Sequence, residues 1–190
     1  MITLPVVAQN TILIVGDSLS AGYGVNPNEN WAVLLQATLK ENRSPYQVVN
    51  ASVTGSTTSN GLANLPSALN QYKPKITIIE LGGNDGLRGL QITLIKNNLQ
   101  QMINLAKQAG SEVLLLGLRL PPNYGPDYTQ QFQAIYVDLA DSNHIAVVPL
   151  LLTSIDDNPA LMQADHIHPN TQAQPIILKT VWPTLSKLLH

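Results

Sequence analysis

The sequence predicts an α/β fold, a three-layer α/β/α sandwich built on a five-stranded parallel sheet. Two observations predict it. Five short apolar runs, Thr11–Gly16, Tyr46–Ser52, Lys75–Leu81, Glu112–Leu118 and Ile145–Leu150, are nearly continuous in Ile, Leu and Val. Strands covered on both faces of a parallel sheet read this way, whereas strands with one wet face alternate. The stretches between the runs have helical length and period, and alternation of the two element types implies right-handed βαβ crossovers. The flavodoxin-like order 2-1-3-4-5 is a common solution for five parallel strands.

Taken in order, Thr11–Gly16 (TILIVG) is the first strand, and Trp31, Leu34, Leu35 and Leu39 begin the apolar face of the helix after it. After the third run, Ile92, Ile95, Leu99, Met102, Ile103 and Ala106 form one stripe of a helix. Lys96, Asn97, Gln100, Gln101, Asn104 and Lys107 occupy its other side, which is the pattern of a helix with one covered face. Phe132, Ile135, Tyr136 and Leu139 repeat that stripe before the fifth run. The last helix spans residues 171–189, with Pro175 near its start and Pro183 inside, so a kink or break is expected there. Residues 11–190 read as a single domain, and 190 residues suffice for a core without disulfide or metal staples. Residues 1–10 (MITLPVVAQN) read either as a flexible terminus or as the remnant of an export signal, since Val6-Val7-Ala8 has the small-residue spacing of a signal-peptidase site.

Composition excludes several functions. Charged residues make up 12% of the chain, about half the usual share, with a net charge of −2. With pI ≈ 6.0 and no Lys/Arg run, a basic nucleic-acid surface is not expected. Zero Cys removes disulfides, thiolate zinc sites and Cys nucleophiles, and leaves the compartment open. No apolar run approaches the ~18 residues of a membrane helix.

In a sheet of this kind ligands bind beyond the carboxyl ends of the strands, and the unusual residues stand there. Gly16-Asp17-Ser18-Leu19 follows the first run. A Ser two residues past a buried strand, on a turn entering a helix, is placed to project as a nucleophile beside backbone N–H groups that favour an oxyanion. Asp17 or Ser18 as a simple helix cap is the alternative. Gly55 follows the second run, where it allows close backbone approach to a ligand or serves a turn before a Ser/Thr cap. Gly82-Gly83-Asn84-Asp85-Gly86-Leu87-Arg88-Gly89 follows the third; its four glycines suggest a mobile loop, and the Asn84 amide offers an N–H. Asp165 and His168 lie three residues apart before the last helix, where a carboxylate can orient an imidazole. His144 and His190 read as surface or satisfied core residues. Together these are the parts of acyl transfer through a tetrahedral intermediate.

The same residues resemble the GDSL/SGNH hydrolases. Gly16-Asp17-Ser18-Leu19 reads as the GDSL block, Gly55 as the second, Gly83-Asn84-Asp85 as the third and Asp165-x-x-His168 as the last. The likeness extends from about Thr11 to the end. It resembles most the bacterial multifunctional thioesterase/arylesterase/lysophospholipase branch, through residues 82–89 and Arg119-Leu120-Pro121-x-Asn123-Tyr124-Gly125. The resemblance implies a serine esterase or thioesterase with Ser18, Asp165 and His168 as catalytic residues. It implies an oxyanion hole of Ser18, Gly55 and Asn84, and no metal or organic cofactor. Implied substrates are acyl thioesters, aryl or short-to-medium-chain esters and lysophospholipids. Asp17, Asp85, Leu87, Arg88, Leu120 and Pro121 are the candidate substrate contacts, with Leu90 beside the acyl chain and Arg88 and Arg119 facing an anionic head group or merely solvent. A monomer acting on a small molecule, with no nucleic-acid partner, in the periplasm or secreted, is the expectation; the cytoplasm stays open.

Two rivals remain from the residues alone. A metal-dependent phosphoesterase is suggested by Asp17, Asp85, His166 and His168, although no Asp-x-His accompanies the first Asp. A non-catalytic lipid- or sugar-binding module in the same crevice requires the whole set to be idle.

Overall fold

A computed structural model describes residues 10–190; the proposed signal remnant at residues 1–9 lies outside the described residues. Asn10, grouped above with the terminus, instead opens the first strand and donates its N–H to Pro45 O at 2.9 Å.

Five parallel strands, β1 (Asn10–Gly16), β2 (Tyr46–Asn50), β3 (Ile76–Glu80), β4 (Glu112–Leu116) and β5 (Ala146–Val148), form one sheet in the order β2-β1-β3-β4-β5. The order is the expected one. The apolar runs overshoot the ladders by two residues at the carboxyl ends of β2, β4 and β5. The first of these overshoots leads into the turn that carries Gly55.

After β1 come the short helix α1 (Ser18–Ala21) and α2 (Trp31–Glu41); α3 (Thr58–Tyr72) links β2 to β3. The short helix α4 (Gly83–Leu87) and then α5 (Ile92–Gln108) lead to β4, α6 (Pro126–Asn143) leads to β5, and α7 (Gln174–Leu185) closes the chain. α2 packs with α7 on one face; α3, α5 and α6 pack side by side on the other. The chain thus moves one way from β1 to β2 and the other way from β3 to β5. The reversal leaves a crevice between the carboxyl ends of β1 and β3.

The predicted stripes are the core. Ile95, Leu99, Met102, Ile103 and Ala106 of α5, Phe132, Ile135, Tyr136 and Leu139 of α6, and Trp31, Leu35 and Leu39 of α2 are buried, while Leu34 and Ile92 are half-buried. Each fully buried Leu or Ile stabilises the fold by about 1.5–3 kcal/mol. The last helix departs from expectation. It begins as a 3-10 turn over Thr171–Ala173, passes through Pro183 and gives way directly after Leu185 to a 3-10 turn at Ser186–Leu188. Pro175 fits near the amino terminus, where no N–H bond is lost.

The glycine-rich segment after β3 is the larger correction. It folds as α4 rather than as a loop. Gly82 has φ 118°, and a Cβ there would stand 2.6 Å from the Tyr136 hydroxyl. A Cβ at Gly86 would meet Leu120 at 2.6 Å and Phe132 at 2.9 Å. These glycines permit close packing, with Tyr136 donating its O–H to Leu81 O at 3.0 Å.

Candidate active site

Ser18 is the first residue of α1. Asp17 caps that helix, its Oδ1 accepting the Leu19 N–H at 3.1 Å. Cap and projecting serine, alternatives in the sequence, are therefore divided between neighbouring residues. Asp17 N–H donates to Glu80 Oε2 at 3.3 Å and Ser20 Oγ donates to the same oxygen at 2.8 Å, which ties the turn to the end of β3.

His168 reaches Ser18 from the segment before α7. Its Nε2 lies 2.9 Å from Ser18 Oγ, and its Nδ1 lies 2.7 Å from Asp165 Oδ2. An ionised carboxylate can only accept, so Nδ1 carries the proton and the neutral ring leaves Nε2 to accept the Ser18 O–H. Asp165 Oδ1 accepts the backbone N–H groups of Ile167 and His168, each at 3.0 Å. Its slight burial alone raises the carboxyl pKa. The bonds from His168 backbone and ring and from Ile167 outweigh that and bring it down to about 2. Asp165 is thus an anion over the whole working range of an enzyme.

The oxyanion candidates converge on Ser18. After β2, Val53 N–H donates to Gly16 O at 3.0 Å, which brings the Gly55 turn beside the nucleophile. Gly55 has φ 80° with open space where a Cβ would be. Neither the Ser18 nor the Gly55 N–H has an acceptor among the described residues. Asn84, on α4, donates its amide to Asp17 Oδ2 and to Ser56 O, both at 3.0 Å. Both amide hydrogens are therefore held by the turns that carry Ser18 and Gly55.

Beneath the serine lies a buried acid pair. Burial pushes the Asp17 carboxyl up to about 6, against the lowering effects of the Leu19 N–H, His168 and Asn84. Burial, reinforced by the Asp17 charge, pushes Glu80 well above the ordinary carboxylate range.

The remaining candidates fall elsewhere. Asp85 has no exposed surface, and its two oxygens accept the Thr58 N–H at 2.9 Å and Oγ–H at 2.6 Å. It accepts both donors at the amino terminus of α3, a strut rather than a substrate-facing group. Leu120 is buried against α4, Leu87 is half-buried, and Arg88 and Pro121 are exposed. Tyr124 donates to Leu87 O at 2.8 Å and Tyr128 to Leu90 O at 2.6 Å, so the two segments expected to flank an acyl chain are braced together. Arg119 pairs with Asp156 and Asp157 and is not free for a head group. His144 and His190 are exposed, the surface alternative of the two the sequence left open.

Asp17, Asp85, His166 and His168 do not converge, and no cluster of three or more His, Asp or Glu suited to a metal occurs among the described residues. The phosphoesterase reading finds no site. Sequence reasoning missed Glu80, an acid inside the apolar run ITIIE; a charge within a core strand was the available signal.

Residues 14–175 match the GDSL-like lipase/acylhydrolase family. The chain belongs to that family. It is 47% identical over 182 residues to "Esterase TesA" of Pseudomonas aeruginosa, covering 96% of this chain and 90% of that protein. It is 41% identical over 190 residues to "Thioesterase 1/protease 1/lysophospholipase L1" of Escherichia coli K12, covering 100% of this chain and 90% of that one. The crystal structure of TesA superposes with a TM-score of 0.93 at 47% identity, covering 95% of this chain and all of the other. A structure of the esterase EstA from Pseudoalteromonas, inhibited by monoethylphosphonate, gives a TM-score of 0.90 at 36% identity, covering 95% and 98%. Membership of this hydrolase family agrees with the resemblance carried by the four motif blocks.

Proposed function

We propose that this GDSL-family enzyme hydrolyses carboxylic esters and thioesters through an acyl-enzyme on Ser18. The observation that carries the reading is the unbroken chain Ser18 Oγ, His168, Asp165, at 2.9 and 2.7 Å. Ser18 Oγ attacks the acyl carbonyl carbon while its proton passes to His168 Nε2, and Asp165 stabilises the imidazolium. The Ser18 and Gly55 N–H groups receive the oxyanion, and Asn84 shares one amide hydrogen with it. The intermediate collapses as His168 returns its proton to the departing alkoxide or thiolate. Water, deprotonated by His168, then attacks the acyl-Ser18 ester; the acid leaves and Ser18 regains its proton.

Aryl and short-to-medium-chain esters, acyl thioesters and lysophospholipids are the substrates we infer, in line with the names of the relatives. The same proposal takes residues 11–190 as one domain, working as a monomer without a cofactor in the periplasm or outside the cell. Among the described residues no helix is long and apolar enough to cross a membrane.

A panel of p-nitrophenyl esters of increasing chain length, run beside Ser18→Ala, tests the reading. The wild type is expected to turn over the panel, and Ser18→Ala to lose turnover while keeping its circular dichroism. Full activity in Ser18→Ala overturns the mechanism, and strict preference for acetate contradicts the longer acyl substrates. Cell fractionation and size-exclusion chromatography test the location and the monomer.

A further inference from the structure

Gln163 lies outside the four motif blocks, yet it connects the two halves of the site. Its backbone N–H donates to His168 O at 2.7 Å, and its carbonyl accepts the His166 N–H at 3.0 Å, which closes the loop holding Asp165 and His168. Its side-chain Nε2 donates to Tyr23 O at 2.8 Å and to Pro169 O at 3.0 Å. Tyr23 belongs to the other half: its own N–H donates to Ser18 O at 3.1 Å. A continuous path of hydrogen bonds thus runs from the Ser18 backbone through Tyr23 and Gln163 to the His168 backbone. The Tyr23 ring lies against the imidazole as well, with centroids 4.6 Å apart.

We propose that Gln163 is a positioning residue that holds the His168 loop at its working distance from Ser18. The inference rests on the acyl-enzyme reading of Ser18 and His168. The Asp165–His168 bond is internal to the loop and sets the orientation of the ring. The Ser18–His168 distance depends on where the whole loop sits, and the Gln163 amide pins it to the serine turn. General-base catalysis is sensitive to that distance, since a misplacement of about 1 Å costs on the order of 10²-fold in rate.

Gln163→Met keeps length and apolar volume and removes both Nε2 donors. Its kcat on p-nitrophenyl butyrate is expected to fall about 10- to 100-fold with KM nearly unchanged. Phosphonylation of Ser18 by a p-nitrophenyl phosphonate forms the Oγ–P bond and expels p-nitrophenolate, with the serine proton passing to His168. It is expected to slow in the same proportion. The far-downfield Nδ1–H proton resonance of His168 is expected to persist, because the Asp165 bond does not pass through Gln163. Gly24→Ala strikes the same latch from the other side, since a Cβ at Gly24 would run into the Gln163 amide. The double variant is expected to lose little more than the worse single one.

Wild-type kcat and phosphonylation in Gln163→Met overturn the proposal, as do additive losses in the double variant. Loss of the downfield resonance with a collapse in thermal midpoint assigns Gln163 a purely structural role and overturns it too. Failure of the wild-type Ser18 to be labelled removes the acyl-enzyme reading instead.

Discussion

His168 Nε2 stands 2.9 Å from Ser18 Oγ across 150 residues of chain. The contact is a product of topology. Ser18 leaves the carboxyl end of β1, beside the point where strand order reverses, and His168 precedes α7, which packs against α2. Sheet and helix layers bring the two chain ends to one rim. Local capping then aims the side chains, through Asp17 on the Leu19 N–H and Asp165 on two N–H groups of its own turn.

Asp165→Asn is expected to lower kcat by about 10⁴-fold with little change in KM. An amide NH₂ facing His168 Nδ1 asks that nitrogen to accept, which moves the ring proton to Nε2. Nε2 then faces the Ser18 hydroxyl as a donor and cannot take its proton. Steady-state hydrolysis of p-nitrophenyl butyrate reads the effect, and activity within a few fold of wild type would remove Asp165 from the mechanism.

Asn84→Ala is expected to cost about 10²–10³ in kcat and to raise KM far less. The Asn84 amide is held by Asp17 Oδ2 and Ser56 O beside the serine turn, so it needs only to share one of its hydrogens with the negative charge as it develops. Asp17→Asn tests the same arrangement more gently. It can retain the cap on Leu19, but it sets one NH₂ group against another at Asn84. A smaller fall in kcat is expected, and a change confined to KM in either variant would contradict the oxyanion role.

Asp85→Ala is expected to destabilise the protein while leaving KM for p-nitrophenyl esters unchanged. The substitution strips acceptors from the Thr58 N–H and hydroxyl, both buried, at about 1–3 kcal/mol for each group left unsatisfied. Chemical denaturation and ester kinetics separate the outcomes: an increased KM at full stability would place Asp85 among the substrate contacts after all.

Much of this arrangement was legible because its signals are local. The Ile, Leu and Val runs mark buried strands without reference to their neighbours, and the Ser18, Gly55 and Asn84 blocks each sit within a few residues of a strand end. α3 was harder to see, since Gly61 and Pro66 interrupt its period. Gly61 is there because Leu81 packs against its bare backbone. Gly82 and Gly86 suggested mobility for the same reason that they are needed, since a missing side chain reads alike whether it frees the backbone or admits Tyr136, Leu120 and Phe132. Asp85 and Gln163 were out of reach of local reasoning, because their meaning lies in partners 27 and 140 residues away.

Glu80→Gln gives the buried acid a measurable pH signature. Glu80 Oε2 accepts from Ser20 and from the Asp17 N–H, while Oε1 has no partner among the described residues. Asp17 faces it from the serine turn, and Tyr136 of α6 is the other titratable group that senses its charge. Its pKa is raised in the fold, so the unfolded chain ionises first as pH rises. Below the ordinary carboxylate range both states are protonated and the acid has no pH-dependent cost. Above that range stability falls until the folded pKa is reached. Glutamine has no such cost. The thermal midpoint of Glu80→Gln relative to wild type is therefore expected to increase as pH rises above the ordinary carboxylate range, whatever its offset at the acid end. Asp17, raised to about 6, acts with the same sign in both proteins. Asp165 acts with the opposite sign, and its contribution is lost only as pH falls towards about 2, outside this window. Differential scanning calorimetry across the range decides the matter: a difference that stays constant or shrinks with pH would mean that Glu80 is ionised as readily in the fold as in water.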